Sequence, residues 1–139
     1  GVELNRDYPF KNPDNPNDSR ELDVGAVGGA DAAYLVECKA EAPDRPLSTE
    51  YVRRFFCDTQ PSFVRAKFGD HAPKKVLAEI WTTGVIDERA RAAFNGLKLP
   101  KYVEARMLDR VGVEAEIPRS IEGGARLLAT IALPAAAAR

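Results

Sequence analysis

Histidine, cysteine and long apolar runs are what this sequence has least of, and each shortage removes a class of chemistry. His71 is the only histidine among 139 residues, which argues against a multi-histidine metal site or a histidine-based triad. It stands in "GDHAPKK", a loop by composition. The two cysteines, Cys38 and Cys57, are far apart and form no C-x-x-C pair, so neither a zinc site nor a redox motif is indicated. Sequence leaves a disulfide between them open, but buried free thiols are the expectation for a cytosolic chain. No apolar run approaches the roughly 18 residues that span a bilayer. The opening "GVELNRDYPF" has no apolar block of the signal-peptide kind. The expectation is a cytoplasmic protein with no membrane partner. Charge of one sign is also missing: 20 Lys and Arg face 21 Asp and Glu, for a net charge of -1. Any contact with nucleic acid must therefore be local. A metal, if held, must be held by carboxylates.

What is present suits one globular domain over residues 1–139, with 45% hydrophobic and 29% charged residues. "VELNRDYPF" is an opening strand, and residues 11–20 form a loop rich in Asn, Asp and Pro. "RELDVGAV" and "AAYLVECKA" are two strands joined through a glycine-rich turn, a hairpin signature. Residues 47–68 carry Val52, Phe55 and Phe56 at helical spacing behind an N-cap at Ser48 or Thr49, with Pro61 expected to kink the helix or split it in two. "KKVLAEIWTTG" is a buried strand. "IDERARAAFNGLKL" is a helix capped by Asp87 and stopped near Asn95 and Gly96. "KYVEARML" is another strand, and "VGVEAEI" with "ARLLATIAL" forms a C-terminal strand pair. This order predicts an α/β fold: a mixed sheet with helices packed on it.

The stretch "YLVECKA" sets two charges into an apolar strand. Side chains alternate along a strand, so Glu37 and Lys39 share one face with Leu35 and Ala33. Tyr34, Leu35, Val36 and Cys38 make both faces look buried, where unpaired charge is costly. If the hairpin connection has three or five residues, Asp23 of "ELDVG" lies on that face too, opposite Glu37 or one diagonal step away; a two-residue turn would put it on the other face. Granting the odd-length loop, Asp23 and Glu37 are within reach of one divalent cation. Carboxylates are hard oxygen ligands for Mg2+, with Mn2+ as a substitute, and the backbone carbonyl of Cys38, water and a substrate phosphate would fill the shell. Such an ion lowers the pKa of bound water and polarises a phosphoryl oxygen. Lys39 would orient the water or stabilise charge on the phosphate. The group suits phosphodiester hydrolysis.

Asp23, a spacer of thirteen residues, then Glu37-Cys38-Lys39 at the end of an apolar strand resembles the D...(D/E)-x-K motif of the PD-(D/E)xK restriction-endonuclease-like superfamily. Leu22 stands where that pattern has proline. "VLAEIWTTGVIDERARAAF" looks like the segment after the catalytic hairpin in Mrr-type members, which often carry Gln-Cys-Lys where this chain has Glu37-Cys38-Lys39. The resemblance covers roughly residues 2–109. It implies a restriction-endonuclease-like mixed central sheet flanked by helices, metal binding by Asp23 and Glu37, catalysis by Lys39, and Mg2+-dependent cleavage of DNA. Members usually begin with a helix that often supplies a further acidic residue. This chain opens on a strand, so either that helix lies outside it or Glu21 or Glu50 substitutes. The alternative is a non-catalytic module of this fold that binds DNA or a protein partner. Dimerisation would help cut both strands.

Other charges and rings have plainer readings. Arg53, Arg54, Arg65, Lys67, Lys74 and Lys75 would form either a basic rim for DNA backbone or scattered solvated charge, the second favoured because Glu50, Asp58 and Asp70 lie among them. Thr82 and Thr83 either end a strand or lie near phosphate. Trp81, Phe55, Phe56 and Cys38 read as core.

Overall fold

Among the described residues, five strands form one sheet in the order they occur in the chain. The computed structural model describes residues 2–28 and 31–115. Strand β1 (Val2–Lys11) pairs antiparallel with β2 (Ser19–Gly28), which pairs antiparallel with β3 (Ala32–Lys39). β4 (Lys75–Thr82) and β5 (Val103–Leu108) continue the sheet in parallel. Parallel neighbours need a crossover, and helices supply both: α1 (Thr49–Arg54) and α2 (Gln60–Phe68) between β3 and β4, and α3 (Glu88–Asn95) between β4 and β5. The result is a mixed α/β fold with a five-stranded sheet flanked by helices.

The β2–β3 ladder runs from Gly28↔Ala32 to Val24↔Val36, so the connection has three residues. That odd length fixes the register on which the Asp23–Glu37 juxtaposition depends.

The helical run is interrupted just before Pro61, as expected, giving two short α-helices, but they are joined without a break in the helical path. A π-helical turn, Phe55–Thr59, lies between α1 and α2, and the Gln60 N–H reaches back five residues to the Phe55 carbonyl. A proline inside a regular α-helix collides with the carbonyl four residues back. Widening the turn before it lets the chain pass through Pro61 with right-handed helical angles at Arg54, Phe55, Thr59 and Gln60. Ser48 is the N-cap, its hydroxyl accepting from the Tyr51 N–H at 3.3 Å. Asp87 caps α3 as expected, its Oδ1 accepting from the Ala90 N–H at 2.9 Å.

The main core lies between the sheet and α1–α2. Ala33 and Leu35 on β3 and Val76, Ala78 and Ile80 on β4 share it with Val52, Phe55, Phe56 and Phe63. Phe63 meets Tyr8 and Phe10 edge-on at centroid separations of 5.4 and 5.3 Å, fastening α2 to β1. Arg65 on α2 pairs with Asp14, and Arg20 on β2 pairs with Asp58 at 3.1 Å. On the opposite face, buried Glu79 accepts from the Tyr34 hydroxyl and the Trp81 indole and pairs with Arg106 at 3.2 Å.

Two further expectations are corrected. Residues 110–115, expected to begin the C-terminal strand pair, are helical: Asp109 caps the turn through the Gly112 N–H at 2.8 Å, and Arg110 pairs with Glu114 one turn on. Residues 116 and 117, and the second run at 125–133, lie outside the described residues. Both cysteines are free, but they are exposed rather than buried. Cys38 faces away from the helices at the end of β3, beyond its last β2 partner pair, and Cys57 sits on the outer side of the π turn.

Candidate active site

Beyond Val24↔Val36 the two strands of the hairpin part, and Asp23 and Glu37 stand one step past the last pair. Backbone groups at such a fork need partners, and the two carboxylates provide them. The Asp23 N–H donates to Glu37 Oε1 at 3.3 Å, and the Cys38 N–H donates to Asp23 Oδ2 at 2.7 Å. The other side of β2 is irregular at the same level. The β1–β2 ladder skips Asp7, whose φ is 50°, between Arg6↔Val24 and Tyr8↔Leu22.

Glu37 and Lys39 pair in register with Ile80 and Thr82, and Ile80 lies in the core under the helices. Both charges therefore face the helix layer at its open end. There α1 contributes a residue that sequence reasoning missed. Tyr51, in the first turn behind the Ser48 cap, donates its hydroxyl to Glu37 Oε2 at 3.4 Å and sets its ring 5.4 Å from Lys39 Nζ. Its signal was weak: the cap at Ser48 places Tyr51 in the first turn of α1, but not where that turn returns over β3. Glu41, also missed, shares parity with Lys39 and lies 3.8 Å from its ammonium and 3.4 Å from Arg45.

The loop carrying Glu41 is pinned to the end of β4. The Thr83 hydroxyl accepts from the Glu41 N–H and donates to the Glu41 carbonyl, both at 2.7 Å. Thr82 accepts from the Gly84 N–H at 3.1 Å. A Cβ at Gly84 would lie 2.2 Å from the Arg45 carbonyl oxygen, so only glycine permits this approach. Both threonines thus hold the strand end and loop together.

The electrostatics follow from this packing. Burial, and then the Asp23 carboxylate beside it, push the Glu37 carboxyl up to about 7; Glu21 adds to the rise, while the Asp23 N–H and the Tyr51 hydroxyl oppose it. Burial and the charges of Glu37 and Asp23 push the Tyr51 phenol up as well, so it stays a protonated donor. Of the two acidic substitutes considered from sequence, Glu21 is felt at Glu37, whereas Glu50 pairs with Arg54 at 2.9 Å. Among the described residues neither Asp23 nor Glu37 has an ion-pair partner.

Two adjacent carboxylates without a cation are a donor set suited to a hard divalent ion. The Cys38 carbonyl adds to it. The Cys38 N–H faces β2, and the Lys39 carbonyl faces β4, where it accepts from the Thr83 N–H at 3.2 Å. Strand alternation then sets the Cys38 carbonyl on the β2 edge beside Asp23. Among the described residues no group of three or more His, Cys, Asp or Glu side chains is gathered as a metal cage. The protein would supply two carboxylates and a carbonyl, leaving positions for water and substrate.

No protein-family model matches the chain, and no curated protein matches it. Among solved structures, the crystal structure of the protein of unknown function AF1548 matches with a TM-score of 0.41 and 20% identity, over 77% of this chain and 50% of that one. This chain thus spans half the length of that protein.

Proposed function

We propose that this chain is a PD-(D/E)xK-type nuclease with a restriction-endonuclease-like fold, hydrolysing DNA phosphodiester bonds with the help of Mg2+ or Mn2+. One observation carries the reading: the hairpin fork sets Asp23 beside Glu37, each carboxylate accepting from a backbone N–H of the other strand and neither in an ion pair among the described residues, and Lys39 stands on the same face as Glu37.

Asp23, Glu37 and the Cys38 carbonyl would hold the ion. When bound, it would acidify a water and polarise the scissile phosphate. The protein's own residues do the rest. Lys39, with three ammonium protons and one carboxylate neighbour in Glu41 at 3.8 Å, keeps donors for charge developing on the phosphate oxygens. Tyr51 holds Glu37 from one side and supports Lys39 with its ring face. Glu41, pinned by Thr83, limits how far the Lys39 side chain swings. Positioning of this kind removes entropy from the reacting geometry before substrate arrives.

The test is incubation of the folded protein with supercoiled plasmid and with a labelled single strand, in Mg2+ or Mn2+, beside a Lys39→Ala variant. Cleavage by the parent and its loss in the variant support the proposal. Absence of cleavage by a folded parent would reject it and leave a module of this fold that binds DNA or a protein.

A further inference from the structure

A cleft of about 390 Å³ lies away from the hairpin fork, between α1 with its π turn and the C-terminal end of α3. Its floor is small and apolar, made by Ala92, Ala93, Gly96 and Leu97, and Arg53 and Lys98 stand on its rim. Cys57 opens onto it because the π turn keeps Phe55 and Phe56 in the core and leaves Cys57 outside.

The rim cations differ from their neighbours. Arg54 is engaged by Glu50, Arg65 by Asp14 and Arg20 by Asp18 and Asp58. Arg53 and Lys98 are exposed and have no ion pair among the described residues. The two acidic residues nearest Arg53 and Cys57 in sequence, Glu50 and Asp58, are each committed to another arginine. Arg89 lies one helical turn before Ala92 and Ala93, on the same side of α3 as the floor. Glu88, four residues before Ala92, lies on that side too, so the cations Arg53, Lys98 and Arg89 face one carboxylate there.

We infer that this cleft is a subsite for a nucleic-acid strand, with Arg53 and Lys98 on its phosphates and the alanine and glycine floor against a sugar or base. Arginine and lysine are the usual phosphate contacts, and a floor of two alanines and a glycine beside Leu97 leaves room for a flat group. The cleft and the hairpin fork flank the same short helix: Tyr51 reaches Glu37 from α1, and Arg53 follows two residues later. Tyr51 and Arg53 are about 200° apart around α1, so the two sites lie on opposite sides of that helix. The inference deepens the nuclease reading and rests on it for the substrate, but binding is tested without cleavage.

The experiment measures fluorescence anisotropy of a labelled oligonucleotide in EDTA across a salt series. It compares the parent, Arg53→Ala/Lys98→Ala and, as a control on the same helix, Arg54→Ala. Losing two phosphate contacts lowers the slope of log K against log salt by about 1.4 for a single strand. The double variant should show that change and bind about tenfold more weakly, while Arg54→Ala stays within about twofold of the parent. The bound strand should also slow alkylation of Cys57. Equal binding by parent and double variant, no binding by the parent, or displacement of the strand by poly-glutamate as effective as by unlabelled DNA overturns the inference. A parent that binds but never cleaves would remove the nuclease reading alone. Normal cleavage with unaltered binding in the double variant would remove the subsite alone.

Discussion

Replacing Glu37 by glutamine should stabilise the protein at alkaline pH and leave it unchanged in acid. Burial and the Asp23 carboxylate raise the Glu37 carboxyl from the ordinary 4.5 to about 7. Below about pH 4.5 the group is protonated whether the chain is folded or unfolded, and it makes no difference to stability. Between 4.5 and 7 the folded chain holds a proton that the unfolded chain has released, so stability falls as pH rises; above 7 the loss is complete. A fully buried group with this shift would lose at most about 3 kcal/mol. Glu37 is only half-buried, at the mouth of the fork, and solvent screening reduces the effect to about 1–2 kcal/mol. Glutamine keeps an oxygen for the Asp23 N–H and a polar group for the Tyr51 hydroxyl, so the substitution removes charge with little change of shape. Urea unfolding of both proteins, followed through the single tryptophan, Trp81, gives the difference at each pH. Background titration of other groups cancels between the two. A variant less stable than the parent near pH 8, or a difference that is the same near pH 4.5 and pH 8, would refute the reasoning.

Other substitutions test the frame that presents the site. Gly84→Ala drives a Cβ into the Arg45 carbonyl and should cost about 1–3 kcal/mol, with a further loss in any cleavage rate because the same loop holds Glu41; urea midpoints and rates measure the two parts. Phe63→Ala removes the ring that Tyr8 and Phe10 pack against, and unfolding should show a loss of about 3–5 kcal/mol. Ser48→Ala removes the cap that sets the first turn of α1. It should lower stability by about 1 kcal/mol, read from urea midpoints, and under the proposed activity any cleavage rate should fall further because Tyr51 loses its anchor.

Much of this arrangement is legible in the sequence because it depends on parity. Alternation puts Glu37 and Lys39 on one face, and the three-residue connection from Gly28 to Ala32 puts Asp23 opposite Glu37. The caps at Ser48 and Asp87 are legible because their side chains satisfy the backbone a few residues away. The π turn is not, because local rules read Pro61 as a break, whereas core packing of Phe55, Phe56 and Phe63 on both sides of it favours a widened turn. The alternating apolar residues of "VGVEAEI" suggest a strand, yet Asp109 and the Arg110–Glu114 pair favour a helical start. The roles of Tyr51 and Glu41 depend on how α1 and the loop before it return over the end of β3, a tertiary fact with only weak local signals.

The proposed activity depends on Asp23 and Glu37 forming a divalent-cation site. Titration calorimetry of Mn2+ into the parent, Asp23→Asn and Glu37→Gln tests it most directly. One ion per chain is expected for the parent, with loss of that binding in each variant, both variants remaining folded. Binding to the parent that survives unchanged in both variants, or no binding to a folded parent, would contradict it.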